Sequence, residues 1–67
     1  MEKEEYMQQF NALVKSMTPQ HRDALAEFRD SLNVGLEMFK RNGIETKFIE
    51  SELELVNLKL AELDSLE

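Results

Sequence analysis

Three observations predict an all-α fold. The 67 residues include only two glycines and one proline, too few turn-formers for a protein of many short strands. Leucine, glutamate, lysine, alanine, methionine and glutamine, all good helix formers, are abundant. Apolar residues recur at helical spacing in three successive stretches, separated by Thr18-Pro19 and by Asn42-Gly43. The expected architecture is a short N-terminal helix over about residues 2–16, then an antiparallel hairpin of helices over about 19–41 and 45–66. Residues 1–67 form one small domain, which is expected to complete a helical bundle by dimerisation.

The first helix rests on Tyr6, Phe10, Leu13, Val14 and Met17, which share one face, with Glu2, Glu4 and Glu5 at the end where the helix dipole favours anions. Thr18-Pro19 divides it from the second: threonine caps well, and proline suits a first helical turn whose N–H groups lack partners. The second helix aligns His21, Leu25, Phe28, Leu32, Leu36 and Phe39, with Gly35 beside them. Lys40 and Arg41 complement its last turn, and Gly43 suits the left-handed residue of a Schellman cap, with Phe39 and Ile44 as its apolar pair. The third helix begins between Ile44 and Ser51, capped by Thr46 or by a Ser51–Glu54 capping box.

That third helix carries two apolar stripes. Ile49, Leu53, Val56, Leu60 and Leu63 form a short heptad seam. Ile44, Phe48, Leu55, Leu58 and Leu66 form a second face, with Glu45, Glu52, Lys59 and Glu62 in the gaps between. The first two helices show one stripe each, so the economical expectation is that one stripe of the third packs inside the chain and the other meets a partner. The seam is the expected self-association or partner-binding surface. A chain of this length supports the idea: below roughly 70–80 residues a single core seldom supplies more than about 3–5 kcal/mol. There is no cysteine for a disulfide and only one histidine, so no Cys/His zinc site can be built.

Charge narrows the functional classes. The formal net charge is −6, which disfavours direct nucleic-acid binding and anionic membranes alike. Residues 44–67 hold seven acids and two bases, so the third helix is acidic as well as apolar-striped, with Glu50, Glu54 and Asp64 as its acidic surface. Arg22, Arg29 and Lys40 line a basic edge of the second helix, too few cations for a nucleic-acid footprint and well placed to pair with the third helix. No apolar run is long enough to span a membrane, and the acidic start does not read as a secretory leader, so the cytoplasm is the expected location.

No catalytic constellation is expected. His21, the only histidine, is the one candidate general base, metal ligand or pH sensor, but it sits in a first helical turn, where a packed or rim histidine is the simpler reading; the Glu-x-x-His di-iron pattern fails at Thr18. The serines lie in no nucleophile elbow, the Glu50–Glu54 pair faces solvent, and neither a phosphate-cradling glycine loop nor an EF-hand occurs. Val34 and Met38 could form a minor second contact face on the second helix. No cofactor or metal is implied. The sequence points to a small acidic, non-enzymatic, protein-binding regulator or inhibitor that uses its C-terminal helix, for instance by blocking a DNA-binding or nucleic-acid-processing protein through mimicry of DNA's charge. A self-assembling structural or scaffold subunit with no foreign partner is the alternative.

Overall fold

A computed structural model describes residues 2–66 as three α-helices and one short 3-10 turn: α1 (Glu2–Lys15), the turn (Pro19–His21), α2 (Arg22–Arg41) and α3 (Lys47–Ser65). Each boundary has a local cause. The Ser16 hydroxyl donates to Leu13 O at 2.7 Å, and a serine that bonds its own backbone competes with continuation of α1. Thr18 is extended, with φ −112° and ψ 170°, as the residue before proline prefers. His21 N–H donates to Thr18 O at 2.8 Å, and His21 Nδ1 accepts the Thr18 N–H at 3.1 Å. This reciprocal cap tightens residues 19–21 into a 3-10 turn, so α2 proper starts three residues later than the periodicity suggests.

The end of α2 is a Schellman motif. Gly43 has φ 67°, its N–H donates to Lys40 O at 3.2 Å, and Ile44 N–H donates to Phe39 O at 2.9 Å. Thr46 opens α3, with its hydroxyl donating to Glu50 Oε2 at 2.5 Å. Ser51 already lies inside the helix, where its hydroxyl donates to Lys47 O at 3.0 Å, so the Ser51–Glu54 start does not form.

α3 is the central helix. It packs most against α2, next against α1, while α1 and α2 touch each other least. α2 and α3 are antiparallel, since Arg22 at the start of one meets Asp64 at the end of the other. α1 runs parallel to α3: Tyr6 bonds Glu52, and Lys15 bonds Lys59. The core comprises Phe10, Val14, Leu25, Leu32, Ile49, Leu53, Val56, Leu60 and Leu63. Gly35 lets α2 approach closely, because a Cβ there would come within 3.1 Å of Ile49 Cδ1.

The core corrects one expectation. The seam Ile49, Leu53, Val56, Leu60 and Leu63 is not a partner-facing surface; all five residues are buried within the chain. Three helices with one central member leave α3 touched from two sides, so its seam is consumed internally.

The molecule is wider than it is deep, with extents of 39 × 26 × 14 Å, as α1 and α2 splay around α3. Its radius of gyration is 12.7 Å, against about 11 Å for a compact chain of this length. A compact chain of 7.8 kDa exposes about 4,400 Å². This one exposes 5092 Å², an excess of roughly 700 Å².

Leu63→Ala removes a fully buried side chain and is expected to cost about 2–5 kcal/mol, most or all of the stability of a chain this small. Leu53→Glu buries an unpaired charge and is expected to unfold the chain. Urea titrations followed by far-UV circular dichroism check both; a folded Leu53→Glu protein would contradict the placement of the seam.

Candidate protein-binding surfaces

Two polar side chains of α3 hold α1. Glu52 is 6% exposed among apolar neighbours and accepts the Tyr6 hydroxyl at 2.9 Å. Lys59, its side chain 10% exposed, donates to Lys15 O at 3.0 Å and pairs with Glu62 at 3.4 Å. A cation at the last carbonyls of α1 also complements that helix's dipole. Glu52 and Lys59 are two of the residues in the gaps between the stripes, and sequence patterning gave neither a structural role. Tyr6 further stacks near Phe10, with ring centroids 6.0 Å apart, and leans on Phe48 at 5.4 Å. Among the described residues no buried side-chain nitrogen or oxygen lacks a hydrogen-bond partner.

At the far side of the molecule Arg22 clasps Asp64 through Nε, and through a second nitrogen at 3.4 Å. Asp64 is exposed on the acidic face of α3, and there it also pairs with Arg22 of the same chain. The Arg22 hydrogen bond lowers the Asp64 pKa below its ordinary range, and the Glu52 hydrogen bond raises that of Tyr6.

Beyond these ties two surfaces stay open. The first is an apolar groove of about 290 Å³ between α1 and α2. Tyr6, Leu13 and Met17 form one wall, Ala24 and Phe28 the other, over a floor of Phe10, Val14 and Leu25. Phe10 and Phe28 span it with ring centroids 5.8 Å apart. None of the lining residues is charged. Leu13 is 57% exposed there. No separate signal of this groove is legible in the sequence: Leu13 reads as part of the first helix's single stripe.

The second is the outer side of α3. The second apolar face does not stay whole: Phe48 is half-buried against Tyr6 and Leu55 is half-buried, while Leu58 and Leu66 are 63% and 65% exposed. Leu58 lies opposite the seam, near the exposed carboxylates Glu54 and Glu62. Glu50 is exposed too, and it accepts the Thr46 hydroxyl. Ile44, Val34 and Met38 are exposed elsewhere. His21 is exposed and bound to Thr18 rather than set in an apolar face. Among the described residues no group of three or more metal-ligating side chains converges, and no helix is long and apolar enough to cross a membrane.

Comparison with protein-family models, with curated proteins and with solved structures finds no match to this chain.

Tyr6→Phe leaves the buried Glu52 carboxylate without its donor and is expected to cost about 1–3 kcal/mol at neutral pH, read from urea unfolding. The two shifts set the pH limits of the wild-type ties. Tyr6 has a raised folded pKa, so its contribution is complete below the ordinary value of 10.0 and is lost as pH rises through the folded value. Asp64 has a lowered one, so its contribution is present above the ordinary 3.8 and is lost as pH falls through the folded value. Melting temperatures across pH should show Tyr6→Phe flattening the alkaline limb and Asp64→Asn flattening the acid limb.

Proposed function

We propose that this chain is a small non-enzymatic regulator that self-associates and binds a basic protein partner through the outer side of α3. The observation that carries the partner reading is an exposed Leu58 among exposed carboxylates, on a C-terminal segment of seven acids and two bases. Leu58 also borders Lys15 and Lys59 on its α1 side, so the rim is acidic only along the outer side of α3; an apolar centre with a charged rim matches the anatomy of a docking surface, where the centre contributes affinity and the rim steers association. Its complement is a surface with a small apolar pocket inside a field of Lys and Arg. Proteins that hold nucleic acid carry such fields, so occupying one would block nucleic-acid binding.

A double variant, Leu58→Arg with Glu54→Lys, changes only exposed side chains and is expected to keep the wild-type circular dichroism. Capture from cells that make the chain should retain a basic protein on wild type and lose it at least tenfold on the double variant. Retention should also weaken as salt rises, because exposed charge pairs are screened. Equal retention by both forms, or retention of no protein, would overturn the partner reading.

A further inference from the structure

We propose that α1 is a strap that undocks as a unit while the α2/α3 hairpin stays formed. Three observations carry this. The first is where the core residues sit. Seven of the nine belong to α2 and α3, and α1 supplies only Phe10 and Val14. The second is how the hairpin is closed. The Schellman turn at Gly43 joins α2 to α3 at one end, and Arg22 pairs with Asp64 at the other.

The third is how α1 is held. Two polar ties fasten it to α3 near its ends, Tyr6 to Glu52 and Lys59 to Lys15 O. Each tie is exchanged for bonds to water when the strap lifts, so its net contribution is modest. Toward α2 the contact is slight, with the apolar groove between the two helices. Residues 16–18, which lie outside any helix, give α1 a hinge. A lone helix of 14 residues is marginal in water, so α1 loses its backbone bonds as it lifts. Beneath it on α3 lie Phe48, which Tyr6 leans on, and Leu55, which lines the groove beside Asn11 and Lys15. With the strap lifted, both join the exposed Leu58, and the second apolar face that α1 interrupts becomes continuous. The undocking is a property of the chain alone and needs no partner.

Native-state hydrogen exchange of the full chain, resolved amide by amide with NMR, tests this. The amides of residues 8–14 are expected to share one protection factor, about tenfold or more below that of the core amides of α2 and α3. Gly43→Ala places a side chain at φ 67°, where the new Cβ meets nothing within 4 Å, so it strains the hairpin turn and touches no other part of the molecule. It is expected to speed exchange in α2 and α3 several-fold and to leave the α1 rates unchanged, because the undocked state keeps the hairpin. One protection factor common to all three helices overturns the strap. So does protection that climbs steadily from the start of α1 to its end, which is fraying, or a Gly43→Ala chain in which α1 speeds up as much as α2 and α3.

Discussion

Everything in this molecule depends on one helix serving two neighbours. α3 contributes five of the nine core residues, and it does so with no disulfide to hold the helices together. It meets α2 along an apolar seam and meets α1 through Glu52 and Lys59, which sit to one side of that seam. The division follows from geometry. Apolar residues at alternating spacings of three and four cover only a narrow strip of helix, and a second neighbour must be met by whatever lies beside it. Here that is a carboxylate and an ammonium group beside the half-buried Phe48 and Leu55, and each polar group finds a partner at a different end of α1: a tyrosine hydroxyl near its start, a backbone carbonyl at its finish.

Holding α1 by its ends has a consequence for the middle. Phe10 and Val14 reach the core, but Leu13 on the same helix does not, and α1 leans away from α2. The result is a shallow apolar groove between α1 and α2, lying over core residues that are themselves buried.

The helices and their stops were legible in the sequence because each has a short-range cause: proline after a capping threonine, glycine in a left-handed turn, acids and bases at the proper ends. The first turn of α2 was not, because a histidine side chain took the place of the usual Glu or Gln in the cap and drew residues 19–21 into a 3-10 turn. The stripes of α3 were legible as stripes, but their assignment was not. A heptad seam reads the same whether its partner is another chain or α2, since periodicity records that a face is buried and not by what. The roles of Glu52, Lys59 and Asp64 depend on residues 42 to 46 positions away in sequence, and no local pattern encodes such pairings.

The two open surfaces adjoin across α1, since Val14 lines both the groove beside Leu58 and the α1/α2 groove. The groove is lined by α1 and α2 alone, while Leu58 faces away from the seam on α3. Charge distinguishes them: the α1/α2 groove is uncharged, and the outer side of α3 carries exposed carboxylates that suit a cationic partner. Self-association, as proposed, would bring two acidic α3 helices into one assembly. A partner with two basic sites at the right spacing would then be held twice, the second contact being intramolecular and gaining effective concentration without any new chemistry. A monomer with the same α3 would lack that gain, which gives self-association a functional consequence.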